Sequence, residues 1–196
     1  MFKPECQAIP RHLRTVFLDR DGILNEKMPE GRYVARWEDF RVLPGVPQAL
    51  RRLNDAGLRV VVVTNQRGIA RGLYTMADVL DIHARFARQL QSSAARIDAF
   101  FICPHDDGQC DCRKPLPGLF TQAVAQFPDI TAATSVMIGD SLSDIEFARR
   151  LGMAAILIAG GANQRESGSG KAALHAGLRF QSLPEAVDAL LAGAPS

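Results

Sequence analysis

The chain has 196 residues, 47% of them hydrophobic and 22% charged, the size and balance of one globular domain with a full core. Its formal net charge of +2 is not concentrated in any run of like charges, which argues against a nucleic-acid or membrane-surface partner. The longest apolar stretches, Leu58 to Thr64 and Met153 to Ala159, are strand-sized and far short of a membrane span, and Met1 to Cys6 has no apolar core of signal-peptide type. A cytoplasmic monomer made of one domain, residues 1–196, is the expectation.

Short β-branched runs alternate with helical patterns along the chain, which predicts an α/β fold with a mainly parallel sheet. Val16 to Asp19 reads as the first strand. An irregular, charged stretch follows from Gly22 to Leu43, and then a helix from about Pro44 to Ala56. Its Val46, Ala49, Leu50 and Leu53 share one face, and Gly57 stands where a C-terminal cap belongs. Leu58 to Thr64 makes a second strand. Thr75 can cap a helix carrying Met76, Val79, Leu80, Ala87 and Leu90 at helical spacing. Ala99 to Cys103 is a third strand; Leu119, Ala123, Val124 and Phe127 mark a helix; Val136 to Gly139 is a fourth strand. A helix from Ser143 to Leu151 reads as opening on a Ser143/Glu146 capping box. Ala154 to Ala159 is a fifth strand, Gly160 to Gly170 a Gly- and Ser-rich loop expected to be mobile, and Ser182 starts a last helix.

One segment is denser in chemistry than any other. Cys103-Pro104-His105 and Cys110-Asp111-Cys112 place three of the four cysteines and one of the four histidines inside ten residues, as two chelating pairs about a turn-forming Asp-Gly. Thiolates and an imidazole in that arrangement are what Zn²⁺ takes in a closed structural site, with every position filled by protein. Only Cys6 is left over. Asp106, Asp107 and Asp111 read as turn or solvent residues of the loop. Immediately after the last ligand come Arg113 and Lys114, so the metal would fix the direction of two cations.

Parallel sheets bind ligands beyond the C-terminal ends of their strands. After the first strand stands Asp19-Arg20-Asp21-Gly22, after the second Thr64-Asn65-Gln66, after the third the metal segment, and after the fourth Gly139-Asp140-Ser141. An extended backbone would send Asp19 and Asp21 to the same side, where close carboxylates call for a divalent cation; Mg²⁺ suits one or two Asp with a phosphate. Any one of these acids alone would also suit an Asx-turn. Arg67 and Arg71 read equally as contacts to an anionic substrate and as solvated loop charges. Tyr33 and Trp37 read equally as specificity and as packing residues. His83 reads as packed on a helix face, and His12 and His175 are isolated. Gly168 to Lys171 lacks the spacing of a nucleotide loop.

Phe17-Leu-Asp-Arg-Asp-Gly-Ile23, Thr64-Asn65-Gln66, Lys114-Pro115 and Ile138-Gly-Asp-Ser-Leu-Ser-Asp144 resemble, in order, the four motifs of the haloacid dehalogenase superfamily. The resemblance spans roughly Val16 to Ala159 and implies a Rossmann-like three-layer fold, here without a cap domain. The Cys-Pro-His and Cys-Asp-Cys-Arg-Lys-Pro segment, with Thr-Asn-Gln-Arg-Gly-Ile-Ala-Arg-Gly, resembles the D-glycero-D-manno-heptose 1,7-bisphosphate 7-phosphatase and histidinol-phosphatase group. What this implies is a Mg²⁺-dependent phosphatase. Asp19 would be the nucleophile and Asp21 the general acid and base, with a raised pKa; Thr64 and Lys114 would hold phosphoryl oxygens. Asp19, the Asp21 backbone carbonyl and Asp140 would hold Mg²⁺, and Cys103, His105, Cys110 and Cys112 would hold structural Zn²⁺. Asp144 would orient the metal shell or Lys114. Asn65, Gln66, Arg67 and above all Arg113 would contact the substrate, a small phosphorylated metabolite. The short metal loop resembles the histidinol-phosphatase side and Ile69-Ala-Arg-Gly72 the heptose side, and the second borders the phosphate loop. A zinc-knuckle binding module is the rival from another class.

Overall fold

The computed structural model describes residues 8–29, 31–160 and 177–192. Six parallel strands form one sheet in the order β3-β2-β1-β4-β5-β6. They are β1 (Thr15–Leu18), β2 (Arg59–Asn65), β3 (Ala99–Cys103), β4 (Ser135–Gly139), β5 (Ala154–Ile158) and β6 (Leu178–Phe180). Among the described residues five α-helices accompany them: α1 (Val46–Asp55), α2 (Met76–Gln91), α3 (Gly118–Gln126), α4 (Leu142–Leu151) and α5 (Leu183–Ala192).

Alternation along the strands sorts the core into two halves. Val16, Leu18, Val60, Val62, Val136 and Ile138 pack with buried faces of α1, α2 and α5. Phe17, Val61, Val63, Met137 and Leu157 pack with α3 and α4 on the other side. Strands covered on both faces must be apolar at every position, which is why Val60 to Val63 are all fully buried. Each such side chain contributes about 1.5–3 kcal/mol of burial.

Helix starts and stops follow local chemistry. Thr75 caps α2 through a reciprocal pair with Asp78. Gly57, just past α1, takes φ of 74°, the left-handed conformation that glycine adopts most readily. At α4 the expected Ser143/Glu146 box is corrected. Ser141 is the cap and Asp144 its partner, the Asp144 carboxylate accepting from the Ser141 backbone N–H at 3.1 Å. The cap lies two residues earlier because β4 ends at Gly139 and the chain turns at once. β6 was not anticipated; it has three residues on the sheet edge, two of them exposed, too short to show a period. Cys6, residues 161–170 of the Gly- and Ser-rich loop, and His175 lie outside the described residues. Among the described residues no helix is long and apolar enough to cross a membrane.

The strand order reverses direction between β1 and β4, so their carboxyl ends splay and leave a crevice. Pairing of Leu18 with Val62 and with Ile138 puts the residues after all three strands at one level.

Candidate active site

Asp19 follows β1 directly, its N–H donating to the Ile138 carbonyl at 3.0 Å, which fixes it beside the end of β4. Its carboxylate pairs with the Lys114 Nζ at 2.9 Å, and the same ammonium meets Asp144 at 2.6 Å and the Val63 carbonyl at 2.7 Å. Lys114 and Asp144 are buried. Asn65 holds the Lys114 backbone from both sides, accepting from its N–H and donating to its carbonyl, each at 3.0 Å. The lysine is thus fixed at its backbone and at its tip.

Carboxylate oxygens of Asp19, Asp140 and Asp144 lie within 4.8 Å of one another. Two glycines permit the crowding. A Cβ at Gly139 would collide with the Asp144 side chain, and one at Gly22, where φ is 88°, would collide with the Asp140 carboxylate. Burial, and the negative charges of Asp144 and Asp140, raise the Asp19 pKa to about 7 against the pull of Lys114. Burial likewise raises Asp140, opposed by Lys27, whose Nζ stands 2.7 Å from its Oδ2. With the Asp144 oxygens taken up by Lys114 and the α4 cap, Asp19 and Asp140 are the hard oxygen donors left facing each other, of the kind a divalent cation such as Mg²⁺ takes, and a cation would relieve the repulsion that raises Asp19.

Asp21 departs from expectation on two counts. Its carboxylate is not in the acid cluster but turns to Arg20, Asn25 and Gln66, with Arg20 at 3.2, 3.1 and 2.9 Å, Asn25 at 2.9 Å and Gln66 at 3.1 Å. Its pKa is not raised: burial pushes it up, but the Arg20 guanidinium and the bonds from Asn25, Arg20 and Gln66 outweigh burial and hold it below the usual range. The physical reason is that β1 ends at Leu18. Residues 20–25 form a turn, with Leu24 N–H on the Arg20 carbonyl at 2.8 Å, and the alternation of an extended strand no longer applies.

The side chains expected to contact substrate divide. Gln66 is buried and serves the protein, donating to Thr64 Oγ1 at 2.8 Å and to Asp21 and accepting from Tyr74 at 2.7 Å. Asn65 braces Lys114. Arg67 and Arg113 line a cleft of about 390 Å³ together with Asp19, Thr64, Lys114 and Tyr33. Arg67 Nε donates to the Tyr33 hydroxyl at 3.3 Å, whereas Trp37 stacks on Phe40 with centroids 5.6 Å apart and packs against the core. Of the three loop acids read as turn or solvent residues, Asp111 is exposed, whereas Asp106 and Asp107 are partners of the arginines. Asp107 pairs with Arg113 at 2.5 Å and lies 3.9 Å from Arg67; Asp106 pairs with Arg71 at 2.7 Å. Sequence reasoning missed Arg20 and Lys27. The signal for Arg20 was its place between two aspartates, and for Lys27 a cation in the loop after the first motif.

Cys103, His105, Cys110 and Cys112 offer ligand atoms within 4.8 Å of one another, and the described cysteines are all free thiols. The sulfur separations of 3.6 and 3.3 Å, and sulfur to His105 Nδ1 of 3.8 and 3.4 Å, are close to the edges of a tetrahedron. With Zn–S arms of about 2.3 Å such edges measure roughly 3.8 Å. Burial pushes the Cys103 and Cys112 thiols up, so a bound cation is what would keep them as thiolates. The four residues fit zinc. The loop they shape is tied to the second motif, with Gln66 N–H on the Cys103 carbonyl at 2.7 Å and Ala70 N–H on that of Pro104 at 3.1 Å. His83 is packed between Phe100, 4.2 Å away, and the core, and burial holds its pKa down to about 3.

Comparison with known proteins gives a consistent answer. A family model for HAD-hydrolase-like proteins matches residues 111–186. The D-glycero-alpha-D-manno-heptose-1,7-bisphosphate 7-phosphatase of Mycobacterium tuberculosis is 43% identical over 145 residues, 74% of this chain and 76% of that protein. The beta-anomer enzyme of Bordetella bronchiseptica is 38% identical over 160 residues, 81% of this chain and 87% of that protein. The crystal structure of D,D-heptose 1,7-bisphosphate phosphatase from B. bronchiseptica, complexed with magnesium and phosphate, superposes with a TM-score of 0.81 at 34% identity, covering 93% of this chain and 100% of that one. The four ordered motifs, the switch-point acid cluster and these matches agree, and the chain belongs to the haloacid dehalogenase (HAD) superfamily of phosphatases, in the group of the heptose-1,7-bisphosphate 7-phosphatases.

Proposed function

We propose that the protein hydrolyses D-glycero-D-manno-heptose 1,7-bisphosphate at its 7-phosphate through an aspartyl-phosphate on Asp19. The observation that carries this reading is the pairing of Asp19 with a buried, fully committed Lys114 at the floor of a cleft whose rim holds Arg67 and Arg113. The floor suits one phosphoryl group and the cationic rim suits a second.

Asp19 attacks phosphorus, and the sugar oxygen leaves. Thr64 donates to a phosphoryl oxygen, and Lys114 does so by giving up its contact to Asp19 once that carboxylate bonds to phosphorus, where charge lies in the transition state. Asp19 and Asp140, with the Asp21 carbonyl, would hold Mg²⁺, which would supply the charge neutralisation that lets an anionic carboxylate meet an anionic ester. Asp144 orients Lys114. Asp21, held as an anion by Arg20, accepts the proton that a monoanionic ester brings in and passes it to the leaving oxygen. It then takes a proton from the water that hydrolyses the intermediate. Cys103, His105, Cys110 and Cys112 would hold a structural Zn²⁺, which would fix the backbone from which Arg113 projects. Asn65 and Gln66 act through Lys114 and Asp21 rather than on the substrate. The protein works as a cytoplasmic monomer without nucleic-acid or membrane partners, and residues 1–196 act as a single domain.

Histidinol phosphate is the runner-up. Its amine calls for an acid at the rim; Asp107 is there, but paired with Arg113 and near Arg67. One panel decides: specificity constants for heptose 1,7-bisphosphate, fructose 1,6-bisphosphate and histidinol phosphate, with Asp19→Asn as control. The heptose should lead, and Asp19→Asn should lose at least about a thousandfold in rate, as removal of a covalent nucleophile does. A preference for histidinol phosphate, or undiminished turnover by Asp19→Asn, refutes the reading.

A further inference from the structure

Two ammonium groups divide the three clustered carboxylates. Lys114 takes Asp19 and Asp144; Lys27, from the loop after β1, takes Asp140 at 2.7 Å. The two lysines are anchored differently. Lys114 is 1% exposed and held at its backbone, whereas the Lys27 side chain is 44% exposed and rises from an irregular loop. Lysine is a compact charge on a flexible four-carbon stem, suited to being moved aside. Asp140 cannot move to meet a new partner, since its carboxylate is 1% exposed and abuts Gly22.

We infer that Lys27 is a tethered counter-cation that competes with the divalent ion for Asp140, setting metal affinity, and that on displacement it turns into the cleft as a further contact for the substrate phosphate. The inference rests on the reading of Asp140 as a metal ligand. Its chemistry is simple competition: an ammonium and a divalent cation held on one carboxylate repel, so each weakens the other's hold even where they take different oxygens. Lys27 lines the same cleft as Asp19, so a displaced ammonium stays within reach of an anion. The metal would then bind first, and its arrival would recruit a cation to the phosphate.

The test is calorimetric titration of chelator-treated protein with Mg²⁺ alone, without substrate, on wild type and on the Lys27→Met, Arg32→Met and Asp140→Asn variants. Arg32 lines the cleft too and controls for the loss of a nearby charge. Lys27→Met should bind Mg²⁺ about tenfold tighter or more, and Arg32→Met much less so. In chelator Lys27→Met should melt below wild type, because Asp140 has lost a counter-charge, and saturating Mg²⁺ should close that gap. Equal affinity of wild type and Lys27→Met, or equal tightening by Arg32→Met, overturns the inference. Binding that survives Asp140→Asn refutes the metal-ligand reading beneath it, whereas binding that needs Asp140 yet ignores Lys27→Met refutes the competition alone.

Discussion

Arg113 and Lys114 are neighbours in the chain with opposite surroundings. Lys114 is 1% exposed, between two carboxylates and a carbonyl on the cleft floor; Arg113 stands on the rim, and its partner Asp107 is 74% exposed. On the floor each charge is obligatory to the next, because an unpaired ion in a buried site costs several kcal/mol. On the rim water can replace any partner, so the pairs there are weak and exchangeable. The floor is built for one fixed chemistry and the rim for adjustable recognition.

The sharpest way to break that contrast is Asp144→Asn. It leaves Lys114 with Asp19 and a carbonyl but removes the shorter of its two ion pairs and half of the α4 cap. The expected loss is about 3 kcal/mol. For a chain of this size that lowers Tm by roughly 6–12 °C, which calorimetry would detect. A fall smaller than rim substitutions give would show that the floor is no more interdependent than the rim.

How legible these two regions were in the sequence follows from the same physics. Strands buried on both faces write themselves as valine runs, and a chelating loop writes itself as Cys-x-His and Cys-x-Cys, so the sheet and the zinc segment were readable from residue types and spacing. The partners of Asp21 were not. Neighbours on a strand point to opposite faces, which hides a contact between Arg20 and Asp21 that exists only because the chain leaves β1 at Leu18 and turns. Ser141 was passed over as a cap for the related reason that only Asp140 separates it from the end of β4 at Gly139. The arginine partners Asp106 and Asp107 looked like solvent residues because exposed pairing depends on loop shape, which spacing alone does not reveal.

Zinc removal tests whether the rim depends on a metal for that shape. If zinc is held a thousandfold above its dissociation constant, it stabilises the fold by about 4 kcal/mol. A zinc-selective chelator, or Cys110→Ser, should then lower Tm by roughly 8–16 °C, with metal analysis reading less zinc per chain. Activity on a bisphosphate should suffer more than activity on p-nitrophenyl phosphate, since Arg113 and Asp107 are carried by the loop whereas Asp19 and Thr64 are not. Equal losses on both substrates would place the floor under the control of zinc as well.

The smallest expected effect is the most discriminating. Asp107→Asn removes the carboxylate shared by Arg113 and Arg67 but leaves Arg113, itself 17% exposed, donating to the His105 carbonyl at 3.4 Å. Because Arg113 keeps that second anchor, losing Asp107 should strip away a competing negative charge more than it loosens the guanidinium. KM for a bisphosphate is therefore expected to fall, by no more than about fivefold for so exposed a pair, with kcat unchanged and Tm barely moved. A monophosphate should not respond, since it has no second anion to reach the rim. A rise in KM for the bisphosphate would mean instead that Asp107 aims Arg113 as Asp144 aims Lys114, and that the rim shares the organisation of the floor.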